Sequence, residues 1–239
     1  MKFEYTEVFN FKGALRGMRN PKESWDKSDS WFPGNSGTDC PCESCTCVEG
    51  MEIGKNDLAL AQSLIRAGSE HRKFMRQIFV CVDITAPLYW WKEFDTYKVG
   101  TVADSTSTMH KLASTPITLD CFELAEWDES AYIYDKDNEQ VEVRKMWCQL
   151  RDYLEGLRQE YLKTKDKRYW KELIRLLPES WLQKRTVTMD YENLLAICSK
   201  GQRRFHKLTE WSKAFIDWAR TLPYAQELIF LDEKEEENG

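Results

Sequence analysis

Hydrophobic residues alternate most regularly in the segment QIFVCVDIT, residues 77–85. Every second residue from Ile78 to Ile84 is a branched aliphatic and falls on one face of an extended chain, while Phe79 and Cys81 take the other face. Because both faces are largely apolar, the pattern predicts a strand in the interior of a sheet that helices cover.

Apolar residues three and four positions apart predict the helices. The predicted helices are residues 13–20, 54–69, 88–95, 141–163, 169–177 and 203–220. Asn56 or Asp57 is predicted to cap the second helix, and Gly68 to end it. The predicted apolar face of the long helix at 141–163 consists of Val143, Met146, Leu150, Tyr153, Leu157 and Tyr161. The predicted apolar face of the last helix consists of Phe205, Leu208, Trp211, Phe215 and Trp218.

Polar loops separate these elements. The helix at 88–95 follows a Thr-Ala-Pro turn and leads into TYKVGTVADSTSTMH, residues 96–110, which is rich in hydroxyl groups. A buried strand that leads through a tight turn into such a loop is how α/β proteins build sites at strand ends. An ordinary strand-helix-loop connection is the alternative interpretation.

A second loop, at about residues 22–53, has no sustained period and contains CPCESCTC. Its four thiols are Cys40, Cys42, Cys45 and Cys47. Thiolates at this density favour a soft metal such as Zn²⁺, and unpaired or disulfide-linked thiols are the alternative. We expect one α/β domain over residues 1–232 that carries this loop as an insertion, followed by a disordered acidic tail at 233–239.

Composition limits the classes of function. The chain has 239 residues, a formal net charge of −6 and a sequence pI near 5.3, which argues against a general nucleic-acid binder. The sequence contains no apolar run of the roughly 18 residues that a membrane span needs and no signal-peptide pattern, so a cytoplasmic location is predicted. The remaining cysteines are predicted to be buried small hydrophobes in a reducing compartment: Cys81, Cys121, Cys148 and Cys198.

Taken as one block, residues 71–112 resemble the central region of the flavin-dependent thymidylate synthases. In that family a histidine precedes a strand, an Ala-Pro or Ser-Arg turn, a short helix and the signature R-H-R-x-x-S-x-N-x-x-S-x-R-Y. His71 takes the position of the histidine, Ala86-Pro87 the turn and Thr96-Tyr97-Lys98 the R-H-R triplet. The signature's later Ser, Asn, Ser, Arg and Tyr correspond to Thr101, Ala103, Thr106, Thr108 and Met109.

The C-terminal part resembles the same family in the order of its segments. ELIRLLP and TVTMD stand where the family has an arginine-containing helix that ends in Leu-Pro and then a strand. Asn193 follows, and Arg204 comes eleven residues after it, at the spacing of the family's substrate-activating arginine. The resemblance covers roughly residues 50–220.

The resemblance implies a mixed α/β (α+β) fold with a mostly antiparallel sheet flanked by long helices, assembled as a homotetramer. It implies transfer of a one-carbon unit from a folate to a pyrimidine deoxynucleotide (dUMP to dTMP) by reduced flavin. The implied FAD-binding residues are His71, Thr96, Tyr97, Lys98 and Asn193. The implied nucleotide-binding residues are Glu93, Asp104, Ser105, Thr106, Thr108, Arg175 and Arg204, of which Arg204 also stabilises charge on the uracil ring.

The chain departs from the family at the arginines. Thr-Tyr-Lys replaces R-H-R and Thr108 replaces the last signature arginine, so guanidinium groups that suit flavin and nucleotide phosphates are missing. Each lost charge-assisted hydrogen bond should cost about 1.5–3 kcal/mol. A non-catalytic or re-purposed homologue that binds a nucleotide or a protein partner is therefore the alternative function.

Several candidate residues have a structural interpretation as well. His71 could be an exposed residue at a helix end, Arg204 part of an exposed basic stretch, and Glu93 and Asp104 solvated carboxylates. Arg175 forms a surface ion pair with Glu172 in this interpretation, because the two lie one turn apart on a helix. The Trp90-Trp91 pair is predicted to pack in the core rather than to stack on a ligand.

Overall fold

The computed structural model describes residues 1–32, 50–124, 128, 130–201 and 208–231. In these residues the strands are β1 (Lys2–Phe9), β2 (Phe79–Pro87), β3 (Val102–Ser105), β4 (Tyr132–Tyr134), β5 (Gln140–Glu142) and β6 (Leu182–Asp190). The α-helices are α1 (Phe11–Arg19), α2 (Lys55–Arg66), α3 (Leu88–Phe94), α4 (Thr108–Lys111), α5 (Val143–Thr164), α6 (Lys167–Arg175), α7 (Tyr191–Ile197), α8 (Ile216–Arg220) and α9 (Ala225–Leu228). A π-helix at Glu210–Phe215 precedes α8, and the acidic tail lies outside the described residues.

Four strands form one sheet in the order β1-β2-β6-β3, so β2 has a neighbour on each side. The Tyr191 N–H donates to the Ile78 carbonyl and the Leu88 N–H to the Trp181 carbonyl, both at 3.0 Å, so β2 and β6 run antiparallel. β4 and β5 form a separate antiparallel hairpin. Mixed α/β architecture with antiparallel sheets is the predicted fold class, which the structure confirms.

The alternation of β2 is confirmed on one face only. The side chains of Val80, Val82 and Ile84 are fully buried. On the opposite face Phe79 is 39% exposed and Cys81 is half-buried, so that face is less covered than its apolar character predicted.

The chain divides into two compact units. The sheet unit comprises residues 3–84, 95–104 and 186–239, and the helix-pair unit comprises residues 1–2, 85–94 and 105–185. Along the chain, β2 begins in the sheet unit and ends in the helix-pair unit, whereas β6 begins in the helix-pair unit and ends in the sheet unit. The extent of the single domain expected over residues 1–232 stays a prediction.

In the sheet unit, an ion pair anchors the segment before the cysteine-rich loop. Arg19 Nε lies 2.6 Å from Asp57 Oδ1, and these side chains are 4% and 0% exposed. The hydroxyls of Ser28 and Ser30 donate to the other Asp57 oxygen at 2.7 and 2.6 Å. Burial acts to raise the pKa of Asp57, but hydrogen bonds from Ser30, Ser28 and Arg19 together hold it below its ordinary value.

The predicted cap of α2 is wrong. Gly54 is the N-cap residue, and Asp57 turns its carboxylate towards Arg19 instead of the helix N-terminus. The positive φ of Gly68, +104°, follows the helix and confirms the predicted end. Nearby, the backbones of Trp31 and Glu52 pair with each other at 2.8 and 3.0 Å.

In the helix-pair unit, α5 and α6 pack together over a small core. The buried residues of this core are Leu112, Ile117, Phe122, Leu154 and Leu173. The predicted helix at α5 is confirmed, but its apolar face is not, because Met146 and Tyr153 are 45% and 59% exposed.

The aromatic residues of α3 lie in the interior, as predicted. Trp90 and Trp91 are each 1% exposed, and Trp90 stacks on Phe94 with ring centroids 5.1 Å apart. The indole N–H of Trp91 donates to the carbonyls of Ala86 (3.1 Å) and Gln183 (3.0 Å).

In the described part of the predicted last helix, residues 208–220, the π-helix precedes α8, and Phe205 lies outside the described residues. Trp211, Phe215 and Trp218 are buried as predicted, whereas Leu208 is 50% exposed. Across residues 1–32, 50–124, 128, 130–201 and 208–231, none of the helices combines the length and the apolar character that crossing a membrane requires.

Candidate functional site

A cavity of about 270 Å³ in the helix-pair unit is lined by the polar segment that follows β3. We call it the hydroxyl cavity. Its polar lining residues are Thr106, Ser107, Thr108, Lys111, Thr115, Cys121 and Gln183. Leu112, Trp181 and Leu182 complete the lining with apolar surface. Hydroxyl donors, one ammonium group and an indole are an arrangement that suits a small polar ligand with a planar ring.

Strand β6 fixes one wall of the hydroxyl cavity. The Thr106 N–H donates to the Lys184 carbonyl at 2.9 Å, and Gln183 Nε2 donates to the Thr106 carbonyl at 3.0 Å. Arg185 Nε in turn donates to Gln183 Oε1 at 3.0 Å, and its guanidinium lies 4.2 Å above the Trp91 ring. Both ends of the buried Gln183 amide are therefore committed, one to the Thr106 backbone in the cavity wall and the other to the Arg185 side chain.

Helix α5 fixes another wall. The Ile117 N–H donates to Glu155 Oε2 at 2.8 Å, and Arg158 Nη1 donates to the Ala113 carbonyl at 3.1 Å. Arg158 also pairs with Glu155, so one ion pair holds both ends of the segment that carries Thr115. The hydrogen bond from Arg158, with further bonds from the Ile117 N–H and Gln159, lowers the pKa of Glu155 to about 2.

The lowered pKa of Glu155 predicts that this wall of the cavity loses stability in acid. Because the carboxylate is favoured in the folded state, its stabilisation is present above the ordinary pKa of 4.5 and is lost as the pH falls towards about 2. Glu155→Gln should lower the free energy of unfolding by roughly 1–3 kcal/mol at pH 7 and by less at pH 3. Urea unfolding at several pH values measures this, and an equal loss at both pH values would contradict it.

A second cavity, of about 470 Å³, lies in the sheet unit beside the C-terminal ends of α2 and α7. We call it the basic cavity. Its cationic lining residues are Arg66, Arg72 and Lys200, and its apolar lining residues include Ile65, Leu195, Ile229 and Phe230. Both carboxylate oxygens of Glu192 lie 2.9 Å from Arg72 Nε, which offsets part of the positive charge.

The loop that precedes β3 is fastened to the first turn of α7. Asn193 Nδ2 donates to the Val99 carbonyl at 2.6 Å, and the Asp190 N–H donates to Asn193 Oδ1 at 3.1 Å. The Asn193 N–H donates to Asp190 Oδ1 at 2.8 Å, which completes a capping box. Gly100 has a φ of +83°, and a Cβ there would lie 2.8 Å from Asp190 Oδ2, so only glycine fits. Burial raises the pKa of Asp190.

Comparisons with solved structures give the same architecture. The flavin-dependent thymidylate synthase ThyX of Helicobacter pylori, complexed with FAD and dUMP, is 16% identical with a TM-score of 0.61, over 97% of this chain and 99% of that one. A second structure of the same protein with FAD and dUMP is 14% identical with a TM-score of 0.59, over 97% and 98%. The UMP/dUMP methylase PolB of Streptomyces cacaoi, bound with 5-Br dUMP, is 12% identical with a TM-score of 0.57, over 96% and 95%.

This chain has the fold of the flavin-dependent thymidylate synthases. No protein-family model and no curated protein matches its sequence. The likeness is therefore one of fold, and it extends over almost the whole length of both chains. It confirms the fold that the resemblance implied.

Within the thymidylate synthase fold, the predicted flavin residues all lie in the sheet unit. Asn193 and the loop that carries Thr96, Tyr97 and Lys98 are in direct contact through the Val99 carbonyl. The Tyr97 ring stacks on Trp211 with centroids 5.7 Å apart. His71 is exposed in the turn after α2, next to the cavity-lining Arg72.

The predicted nucleotide residues lie mostly in the helix-pair unit. Thr106 and Thr108 line the hydroxyl cavity, and Ser105 precedes them at the exposed end of β3. Glu93 lies half-buried on α3. Asp104 is exposed in the sheet unit, and Arg175 lies on α6 of the helix-pair unit but does not line the cavity. Arg175 pairs with Glu172, which confirms the surface ion pair.

Arg204 and the four cysteines of the metal prediction lie outside the described residues. In the part of the chain that the structure describes, no group of three or more His, Cys, Asp or Glu side chains could hold a metal ion. Of the other cysteines, only Cys198 is buried, whereas Cys81, Cys121 and Cys148 are half-buried free thiols. The prediction that they are buried is wrong for these three.

Sequence reasoning missed Lys111 and Gln183 in the hydroxyl cavity, and Arg66, Arg72 and Lys200 in the basic cavity. The spacing of Lys111, three residues after Thr108, carries a signal only once α4 is known to be helical. The contacts of Gln183 join residues that are 77 positions apart, which no local pattern reveals.

Proposed function

We propose that this protein binds a uridine monophosphate-type nucleotide and transfers a one-carbon unit to its pyrimidine ring with the help of a reduced flavin. The observation that carries the proposal is the match in fold over 97% of the chain to a thymidylate synthase complexed with FAD and dUMP. The UMP/dUMP methylase of the same fold supports the reaction class independently. A folate as the one-carbon donor and a homotetrameric assembly belong to the same proposal.

The hydroxyl cavity is the proposed nucleotide site. Thr106, Thr108 and Ser105 come from the segment that the resemblance assigned to the nucleotide, and two of them line the cavity. Their hydroxyl and backbone groups would bind polar atoms of the nucleotide, and the Trp181 indole would contact its ring. Glu93, Asp104 and Arg175 remain predicted nucleotide contacts, and Arg204 remains the predicted residue that stabilises charge on the ring.

The basic cavity is the proposed flavin site. FAD carries an anionic pyrophosphate and a largely apolar ring system, and the lining offers Arg66, Arg72 and Lys200 beside Ile229 and Phe230. The Thr-Tyr-Lys triplet lacks the arginines that would neutralise the pyrophosphate. The three cations of the basic cavity supply that positive charge instead. The flavin, when bound, would supply the reducing equivalents for the transfer.

A non-catalytic nucleotide-binding homologue is the second candidate. Two observations favour it: guanidinium groups are absent from the triplet at residues 96–98, and the Asn193 side chain is already committed to Asp190 and Val99. An amide used in this way holds the loop rather than a cofactor.

Titration of the purified protein with FAD and with dUMP separates the two candidates. We expect both to bind, and we expect dUMP to be methylated when a reduced flavin and methylenetetrahydrofolate are supplied.

Arg72→Met should weaken FAD binding roughly tenfold or more, through the loss of a charged hydrogen-bonding partner. Arg76→Met is the matched control, because Arg76 lies 3.9 Å from the same Glu192 but is not among the lining residues.

The outcomes have different consequences. Binding of dUMP without binding of FAD would favour the non-catalytic homologue. Failure to bind any uridine nucleotide would refute both candidates. Light scattering of the same preparation tests the proposed tetramer, which a monomeric mass would contradict.

A further inference from the structure

Lys111 is the charged member of the described lining of the hydroxyl cavity. It ends the short helix α4, three residues after Thr108, which stands where the related family has an arginine. Within the part of the chain that the structure describes, no carboxylate lies within ion-pair distance of its ammonium group. By contrast, Arg175 pairs with Glu172 and does not line the cavity.

The polar groups that line the cavity beside Lys111 do not offset its positive charge. Ser107 Oγ already accepts a hydrogen bond from the His110 N–H, and the Gln183 amide is committed at both ends. The described lining contains no acidic residue, so nothing in it offsets the ammonium charge of Lys111. Such a lining attracts an anion.

We infer that Lys111 binds the phosphate group of the ligand in the hydroxyl cavity and so performs the task of the missing arginine. The inference rests on the proposed nucleotide binding and specifies how the nucleotide is recognised. The hydroxyls of Thr108 and Thr115, which line the same cavity, donate to the remaining phosphate oxygens. An ammonium group acts as a point charge and not as a planar fork, so the site selects for negative charge more than for phosphate geometry.

Lys111→Met tests this inference with little risk to the fold, because the side chain is exposed. The variant should bind dUMP roughly 10- to 100-fold more weakly than the unmodified protein, through the loss of a charge-assisted hydrogen bond. Its affinity for deoxyuridine, which has no phosphate, should be unchanged. Lys111→Arg should retain most of the dUMP affinity. Lys136→Met, at a side chain that is 89% exposed on the β4–β5 hairpin, is the matched control.

Cys121 gives a second readout that does not depend on turnover. This half-buried thiol lines the same cavity, whereas Cys148 is half-buried on α5 and does not. Addition of dUMP or inorganic phosphate should slow alkylation of Cys121 in the unmodified protein but not in Lys111→Met. Cys148 should react at the same rate throughout, as measured by mass spectrometry of the alkylated peptides.

Equal dUMP affinity in Lys111→Met and the unmodified protein would overturn the inference and leave the proposed function standing. Failure of both dUMP and inorganic phosphate to protect Cys121 in the unmodified protein would also overturn it. Protection by inorganic phosphate that depends on Lys111, without any binding of dUMP, would support the phosphate site and refute the proposed function.

Discussion

Replacing Asp57 with asparagine should lower the free energy of unfolding by about 3–5 kcal/mol at pH 7, because it leaves the Arg19 guanidinium buried without its counter-charge. Asparagine preserves the shape of the side chain but turns one accepting oxygen into an NH₂ donor, so the loss reports the charge together with the hydrogen bonds to that oxygen. The pKa of Asp57 lies below its ordinary value of 3.8 in the folded protein. The stabilisation is therefore present above that pH and disappears as the pH falls below it. Urea unfolding at pH 7 and near pH 3 measures both effects.

A surface pair provides the control for Asp57. Glu70 lies 4.0 Å from Lys73, its side chain is 82% exposed, and Glu70→Gln should cost no more than about 0.5 kcal/mol. A loss below about 1 kcal/mol for Asp57→Asn would contradict the prediction, because it would mean that the Arg19 guanidinium is not left buried without a partner.

Replacing Trp91 with alanine should cost a similar 3–5 kcal/mol, because the side chain is 1% exposed and the change leaves a large cavity. It also removes the donor that satisfies the buried carbonyls of Ala86 and Gln183, and the ring on which Arg185 lies. Since Gln183 positions a wall of the hydroxyl cavity, alkylation of Cys121 should also change in rate. Chemical denaturation and thiol labelling measure the two effects.

The control for Trp91 is another tryptophan with a single hydrogen bond. Trp25 is 49% exposed and its indole N–H donates to Asn20 at 2.9 Å. Trp25→Ala should cost about 1 kcal/mol or less, because little apolar surface returns to water. Comparable losses of unfolding free energy for Trp91→Ala and Trp25→Ala would contradict the prediction, because the buried Trp91 would then contribute no more to stability than the exposed Trp25.

Local patterns identified the elements of this fold better than the faces those elements bury. The alternation in β2 predicted the buried row of Val80, Val82 and Ile84, because a strand exposes every second residue to the same environment. In α5 the apolar residues occur on more than one side. Leu154, fully buried, belongs to the side that packs, while Tyr153 is exposed. Which side of α5 packs in the core depends on where α6 lies, and the sequence of α5 alone does not give that position.

Tertiary contacts explain the other errors. Asp57 is the third residue of α2 and not its cap, because the first-turn N–H groups of Asn56 and Asp57 donate to the distant Asp29 carboxylate. The Asp57 carboxylate itself pairs with Arg19, 38 residues earlier. Likewise, the resemblance placed Thr106 and Thr108 in a site, and both line the hydroxyl cavity. It gave Lys111 no binding role, because the family's arginine aligns with Thr108 and this cation is displaced from it by about one helical turn.

The fastening of the loop at Val99 to Asn193 has a thermodynamic consequence. The Asn193 amide joins that loop to the start of α7, so opening one of them weakens the other. A ligand that favours the ordered loop must, by reciprocity of coupled equilibria, also slow the exchange of amide protons in the first turn of α7 with solvent deuterium. Binding of a ligand to the loop would then be detectable as slower amide exchange in α7, at backbone positions that the ligand does not contact.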